Sequence, residues 1–125
     1  MVKQVIVMRR DLNMRSGKMV AQGAHASLKV FLDRKHMTKW GMTIRLTKDM
    51  VEWITNAFTK VCLKAESEEQ LLDIVEEARR AKLPCALITD AGKTEFNGIP
   101  TNTCCAIGPA RSEEIDKITG HLKLY

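Results

Sequence analysis

Four polar residues of one predicted helix have the spacing that places side chains on a single face. Lys18, Gln22, His25 and Lys29 follow one another at i, i+4, i+7 and i+11, which sets them within roughly 60° of each other around an α-helix. Ammonium, amide and imidazole groups brought together in this way can stabilise negative charge and orient a substrate. An ordinary solvated face remains the alternative, although Lys and Glu are more usual there than Gln and His.

A second candidate region is the loop at residues 89–94, with the sequence TDAGKT. It follows a predicted strand at the carboxyl end, where open α/β sheets commonly bind ligands. Asp90, Lys93 and Thr94 supply a carboxylate, an ammonium and a hydroxyl beside a glycine. The GxxxxGK[ST] spacing of a nucleotide-binding loop is absent. The alternative is a plain turn in which Asp90 accepts backbone N–H bonds.

Other kinds of catalytic centre find little support in the sequence. There is no GxSxG elbow for a nucleophilic serine, and the four cysteines lack an obvious histidine partner or zinc-ligand spacing. We therefore expect no metal and no cofactor, and any hydrolysis should use activated water. His36 and His121 are interpreted as structural, and the cysteines as buried free thiols.

The elements that must position these groups alternate between strand and helix. Apolar periodicity and capping residues predict strands at residues 3–8, 60–65, 84–89 and 101–107, and helices at 17–32, 47–58, from Ser67 to before Pro84, and from Ser112 to Gly120. On the first helix, Val20, Ala24, Ser27 and Phe31 form the arc expected to face the core. Residues 36–46 show no clear period and are predicted to form a connection or an irregular helix.

This order predicts an α/β fold in one domain covering residues 1–125, with a mixed four-stranded sheet and helices on both faces. Hydrophobic residues make up 45% and charged residues 28% of the 125 residues, as in ordinary globular domains. No apolar stretch approaches the roughly 20 residues that cross a bilayer, and residues 1–10 lack a signal peptide. We therefore expect a soluble, cytoplasmic protein without membrane association.

The positive charge is concentrated in the first part of the chain. Residues 1–48 contain 11 Lys and Arg against 2 Asp and Glu, whereas residues 49–125 contain 9 against 13. A local excess of this size attracts polyanions in a way that scattered charge does not. Nucleic acid is the leading class of partner, and simple solubilisation of surface helices is the alternative.

Five segments of the sequence, taken together, indicate a more specific function. They are KQVIVMRRDLNM, SGKMVAQGAHASL, LITDAGKTE, TNTCCAIGPA and DKITGHLKLY, and they span the chain from residue 3 to 125. In this order they resemble the signature segments of the second-type peptidyl-tRNA hydrolases, a family typical of archaea and eukaryotes. One segment alone would be weak, but the combination of GK-x-x-x-Q-x-x-HA, DAG-K/R-T and TGHLKLY is specific.

The resemblance implies an α/β fold with a mixed four-stranded sheet, a metal-independent esterase acting on peptidyl-tRNA, and often a homodimer. The residues that match the family's active-site positions are Lys18, Gln22, His25, Asp90 and Thr94. The chain departs from the family in a longer connection at residues 37–49 and in lacking the N-terminal membrane anchor of some eukaryotic members. The second departure favours a cytosolic protein.

Roles for these residues follow from the chemistry of the implied ester. Asp90 is expected to orient or deprotonate water, with Thr94 relaying a proton, while Gln22 and His25 orient substrate or catalytic groups. Lys18 either stabilises the oxyanion or binds a terminal phosphate of the CCA end. Residues expected to contact tRNA phosphates are Arg9, Arg10, Arg15, Lys29, Arg34, Lys35, Lys39 and Lys93. Few aromatic residues lie among them, so base stacking should be minor.

Two other functions are possible on such a fold. The first is a non-catalytic module that binds RNA or protein, since a fold does not guarantee an activity. The complete set of five matching residues argues against it, because a domain used only for binding would not need Asp90 in a phosphate-facing site. The second is a nucleotide-dependent enzyme, which lacks any phosphate-cradling motif.

Overall fold

Six strands and four α-helices follow one another in the computed structural model, which describes residues 1–125. The strands are β1 (Val2–Arg9), β2 (Lys35–Thr38), β3 (Gly41–Ile44), β4 (Lys60–Ala65), β5 (Cys85–Asp90) and β6 (Thr101–Arg111). The helices are α1 (Ser16–Leu32), α2 (Lys48–Thr55), α3 (Glu68–Arg80) and α4 (Ser112–Thr119), with a short 3-10 helix at Phe96–Gly98.

The main sheet has four strands in the order β4-β1-β6-β5. Strands β1 and β4 are parallel, as expected for strands joined through helices, whereas β6 is antiparallel to both of its neighbours. The loop after β5 returns the chain into β6 without a helical crossover. The predicted α/β class and mixed four-stranded sheet are therefore confirmed.

Alternation along β1 separates two hydrophobic cores. Ile6 and Met8 point to the face covered by α1 and α2, and Val5 and Val7 point to the face covered by α3 and α4. All four side chains are buried, and each such burial stabilises the fold by about 1.5–3 kcal/mol. Helices thus cover both faces of the sheet, as the sequence predicts.

Helix α3 shows how directly local signals define an element here. The Ser67 hydroxyl accepts a hydrogen bond from the Gln70 N–H at 3.0 Å, and the Gln70 side chain accepts one from the Glu66 N–H at 2.7 Å. These bonds satisfy donors that a helix start leaves unpaired. The helix ends at Arg80, before Pro84. In α4, by contrast, Ser112 is the first helical residue and not the predicted cap.

The face of α1 that meets the sheet differs from the prediction. Val20 is 73% exposed and Ala24 is also exposed, whereas Gln22 and Ala26 are buried. Of the predicted core-facing arc, Phe31 is buried as expected. The prediction that this arc faces the core was wrong for Val20 and Ala24, in the N-terminal half of the helix. The neighbouring helix α2 leaves that side of α1 uncovered, which a helical period alone cannot reveal.

Residues 36–46 were also predicted wrongly. They belong to a β-hairpin in which β2 pairs with β3 and with no strand of the main sheet. Thr38 lies opposite Gly41, so Lys39 and Trp40 form a two-residue tip. Gly41 has a φ of +141°, a conformation that glycine adopts without the steric cost other residues incur. The following helix α2 ends at Thr55 and does not reach residue 58.

All four cysteines are free. Cys104 and Cys105 are buried, Cys85 is half-buried and Cys62 is exposed. Burial raises the pKa of Cys85 and of Cys104 to about 11, so both are held as unreactive thiols. The prediction of buried thiols is confirmed for the pair on β6 but not for Cys62.

None of the helices has the combination of length and hydropathy that crossing a bilayer requires.

Candidate active site

The centre of the candidate site is an ion pair between a helix and a strand. Lys18 lies in the first turn of α1, and Asp90 is the last residue of β5. The Lys18 Nζ atom is 2.8 Å from Asp90 Oδ1, and the two side chains are only 15% and 14% exposed. The pair is therefore partly shielded from water yet still accessible, as a reacting site must be.

The loop after β5 fixes the other carboxylate oxygen. Asp90 Oδ2 accepts a hydrogen bond from the Gly92 N–H at 2.9 Å. Gly92 has a φ of +79°, and a Cβ atom at this position would lie 2.5 Å from the Ile99 carbonyl oxygen. Only glycine fits there. The turn considered as an alternative explanation of the Asp-Ala-Gly sequence is real, and it orients the same carboxylate that meets Lys18.

These contacts determine the charge of the carboxylate. The hydrogen bond from Lys18, followed by that from the Gly92 N–H, lowers the pKa of Asp90 below its ordinary value of 3.8. Both donors favour the ionised form, since they are lost or weakened when the carboxyl is protonated. Asp90 is consequently an anion at neutral pH, held between an ammonium and an amide.

Gln22 connects this ion pair to the protein interior. Its Nε2 donates to Asp90 Oδ1 at 3.4 Å, and its Oε1 accepts a hydrogen bond from the Thr103 hydroxyl at 2.5 Å. Thr103 is fully buried. Because the threonine donates to the amide oxygen, the amide nitrogen must face Asp90. The amide therefore has one orientation.

Thr103 is a site residue that sequence reasoning missed. In the pairing of β5 with β6, Ile88 lies opposite Cys104 but Thr89 lies opposite Asn102, so Thr103 is an extra residue in β6. Such a bulge turns a side chain away from the simple alternation of a strand. No signal in residues 101–107 predicts it, because alternation alone would place Thr103 on the face opposite Cys104.

Two residues of the loop complete the surroundings of Lys18. The Thr94 hydroxyl is 3.4 Å from Lys18 Nζ, and the Phe96 ring centroid lies 5.7 Å from the same atom, within the range of a cation–π contact. Thr94 was predicted and Phe96 was not. Lys93 lies between Asp90 and Thr94 in the loop and is exposed. The loop thus surrounds the ammonium with an anion, a hydroxyl and an aromatic face.

His25 is less closely integrated. It is exposed on α1, one turn beyond Gln22, and forms no hydrogen bond to Lys18, Asp90 or Thr94. The structure therefore brings together four of the five predicted catalytic residues and leaves the imidazole at the edge.

The predicted RNA-contacting residues fall into two groups. Arg9 is buried, and its guanidinium donates to Asp11 and to the Asn102 carbonyl oxygen, so it is engaged inside the protein. These contacts leave its guanidinium poorly placed to bind a tRNA phosphate. The remaining cations are at least partly exposed, and they are Arg10, Arg15, Lys29, Arg34, Lys35, Lys39 and Lys93.

The assembled groups are suited to reactions at a carbonyl. An ammonium and the amide N–H groups at the start of a helix stabilise a developing oxyanion, and an ionised carboxylate accepts a hydrogen bond from water. No group of three or more His, Cys, Asp or Glu side chains is arranged to hold a metal ion. The Asp90 carboxylate at its centre is already paired with Lys18.

Comparison with known proteins gives a consistent result. A family model described as Peptidyl-tRNA hydrolase PTH2 matches residues 2–125. A peptidyl-tRNA hydrolase of Methanocaldococcus jannaschii is 46% identical, covering 98% of this chain and 99% of the relative. One from Methanopyrus kandleri is also 46% identical, over 99% and 98% of the two chains. One from Haloquadratum walsbyi is 42% identical, over 99% and 100%.

Proposed function

Since this chain belongs to the peptidyl-tRNA hydrolase PTH2 family, we infer that it hydrolyses the ester joining a peptide to the 3′-terminal ribose of tRNA. Residues 1–125 act as one catalytic domain. The observation that carries the chemistry is the Lys18–Asp90 pair at 2.8 Å, supported by Gln22 and Thr94. The alternative of a non-catalytic module is not favoured by the family and its relatives.

In the proposed mechanism, Asp90 positions the attacking water. Because its pKa is lowered, the carboxylate binds a proton only weakly. Its main role is therefore to accept a hydrogen bond from water and raise the nucleophilicity of the water oxygen. The water attacks the ester carbonyl and forms a tetrahedral oxyanion. As the oxyanion re-forms the carbonyl and the bond from carbon to the ribose oxygen breaks, the proton released by the water passes by way of Asp90 and the Thr94 hydroxyl to that oxygen.

Lys18 stabilises the negative charge that develops on the former carbonyl oxygen. Its ammonium lies at the N-terminal end of α1, where the helix dipole also favours an anion. A phosphate of the CCA end would compete for the same position, and kcat and KM of a Lys18→Ala variant distinguish the two roles. Gln22 holds Asp90 in place, and His25 contacts the substrate from the rim.

We propose that the reaction requires no metal ion. The Asp90 carboxylate is ion-paired with an ammonium, whereas metal-dependent hydrolases gather several anionic or imidazole ligands. Release of N-acetylated amino acid from N-acetyl-aminoacyl-tRNA should therefore be unaffected by EDTA, and unblocked aminoacyl-tRNA should remain largely intact. Loss of turnover with EDTA that returns on adding Zn²⁺ or Mg²⁺ would overturn the metal-free mechanism.

We also propose that the chain forms a homodimer, as its family resemblance implies, and acts in the cytoplasm, where translation makes its substrate. An apolar groove of about 900 Å³ lies between α1 and α2. Its walls include Val20, Leu28, Ile54 and Phe58, which are 44–73% exposed. Apolar patches of this kind usually mark interfaces. Light scattering should give a molecular mass of twice 14.1 kDa for the wild-type protein. Leu28→Asp should lower the mass to that of one chain, and a monomeric wild type would contradict the proposal.

A further inference from the structure

The β2–β3 hairpin is a projecting element that the catalytic site does not use. Every residue of β2 is exposed, as are Gly41, Met42 and Thr43 of β3. Only Ile44, at its base, packs against the core formed with α1 and α2. Where the hairpin joins the domain, Arg34 Nε donates a hydrogen bond of 2.7 Å to the Arg45 carbonyl oxygen. The hairpin is therefore an arm anchored at one end.

The tip of this arm displays a tryptophan. Trp40 is 89% exposed, an unusual position for so large an aromatic side chain unless it meets a partner. Its backbone is fixed, because the Trp40 N–H donates to the Thr38 hydroxyl and that hydroxyl donates to the Gly41 carbonyl oxygen, each at 3.2 Å. Lys39 Nζ lies 5.5 Å from the Trp40 ring centroid. The tip thus presents an exposed aromatic ring on a fixed backbone, with a cation beside it.

The charge of the arm identifies the class of partner. Residues 34–48 contain five Lys and Arg and no Asp or Glu. A polyanion is attracted to such a run of cations, since no acidic side chain within the arm offsets their charge. Aromatic and cationic side chains together are the combination that binds nucleic acid, through base stacking and phosphate contacts.

The position of the arm indicates which part of the substrate it meets. Lys18 lies near the start of α1 and the arm follows its end, so the helix separates them by about 21 Å at 1.5 Å per residue. A stacked strand covers this distance in roughly six nucleotides at 3.4 Å each. The arm therefore lies beyond the three CCA nucleotides when the ester is at Lys18. His25 and Lys29 are exposed on the helix between the two.

We propose that the β2–β3 hairpin is a tRNA-binding arm that contacts the end of the acceptor stem, with Trp40 stacking on an exposed base plane and Lys35, Lys39 and Arg45 contacting phosphates. This proposal rests on the proposed function and adds the means by which the enzyme holds the body of its substrate. It also replaces the sequence-based expectation that base stacking is minor.

Trp40→Ala tests the arm without disturbing the core, because the side chain is exposed. The Kd for deacylated tRNA should rise at least about fivefold, the effect of losing one stacked base, and Trp40→Phe should restore most of the affinity. Turnover at saturating N-acetyl-aminoacyl-tRNA should remain unchanged. Hydrolysis of an N-acetyl-aminoacyl ester of the CCA trinucleotide should also be unaffected, since that substrate does not reach the arm.

Fluorescence supplies an independent signature. The protein has two tryptophans, and Trp53 is 2% exposed, so quenching on tRNA binding should come from Trp40 and vanish in Trp40→Phe. Lys39→Ala should reduce the log–log salt slope of tRNA binding by about 0.7–0.9, and Lys117→Ala on α4 should not change it.

Three results would overturn this inference. They are an unchanged Kd for tRNA in Trp40→Ala, an equal loss of activity on tRNA and trinucleotide esters, and a change in molecular mass that marks the hairpin as a protein-binding arm. Failure of the proposed function is distinguishable, because the wild-type enzyme would then hydrolyse neither ester.

Discussion

Lys18 and Asp90 lie 72 positions apart in the chain, yet their Nζ and Oδ1 atoms are 2.8 Å apart. The contact is possible because the start of α1 and the end of β5 meet at one edge of the sheet. The carboxylate has a second fixed donor in the Gly92 N–H. Each group of the pair can therefore be tested separately for its contribution to turnover and to binding.

Asp90→Asn should lower kcat by roughly 100-fold or more while tRNA affinity holds or improves. The amide keeps the shape of the side chain but removes the negative charge that positions water. The affinity for tRNA should not fall, because the substitution removes a negative charge that repels the tRNA phosphates. Measurements are kcat on N-acetyl-aminoacyl-tRNA and Kd for deacylated tRNA, with circular dichroism as the control for folding. Near-normal kcat in a folded variant would place the base elsewhere, with His25 tested next.

Lys18→Ala should lower turnover, and the constant that changes defines the role of the ammonium. A group that stabilises the transition state alters mainly kcat, whereas a phosphate contact made in the ground state raises mainly KM. We expect the change in kcat. Lys117→Ala is the matched control, since Lys117 is exposed on α4 and paired with Glu114. A variant with raised KM and normal kcat would assign Lys18 to phosphate binding.

Thr103→Val removes the hydroxyl that orients the Gln22 amide while keeping the shape of the side chain. The buried amide oxygen loses its partner, so the free energy of unfolding should fall by about 1–3 kcal/mol. The kcat value should fall as well, because Gln22 Nε2 is no longer directed at Asp90. Thr103→Ser should restore both. Denaturant unfolding and kinetics are the measurements, and a Val variant with wild-type kcat would make Thr103 purely structural.

The pH dependence follows from the direction of the Asp90 shift. Contacts to Lys18 and to the Gly92 N–H lower the pKa of Asp90 below 3.8, so the folded state favours the ionised carboxylate. The stability that the ionised Asp90 carboxylate contributes is fully present above its ordinary pKa of 3.8 and is lost as the pH falls through the lowered pKa of the folded state. Loss of kcat/KM from protonation of Asp90 should begin only below about pH 4. Loss of kcat/KM with an apparent pKa well above about 4 that is absent from Asp90→Asn would contradict this assignment.

Charge reversal at the exposed cations near the site should weaken binding without changing the chemistry. Arg15 is 84% exposed and Lys93 is also exposed. Arg15→Glu and Lys93→Glu should each raise the Kd for tRNA and reduce its salt dependence, since each phosphate contact contributes about 0.7–0.9 to the log–log slope. Lys117→Glu is the control. Wild-type affinity at low salt in both variants would mean that these cations only solubilise the surface.

The sequence by itself determined the features that depend on near neighbours. Strand β1, helix α3 with its Ser67 cap and the turn that requires Gly92 each follow from residues within a few positions of one another. Lys18 and Asp90 became candidates through helical spacing and loop position, and their assignment to an active site came from motif resemblance. Their fixed distance did not, because no local pattern specifies how a helix start meets a strand end.

Tertiary structure alone decided the features that depend on what packs opposite. Val20 is exposed although it is apolar, and Gln22 is buried although it is polar. The sheet, the bulge at Thr103 and the carboxylate of Asp90 supply Gln22 with partners, while α2 leaves Val20 uncovered. The free energy of burying a side chain depends on its partners across the interface, and those partners come from distant parts of the chain.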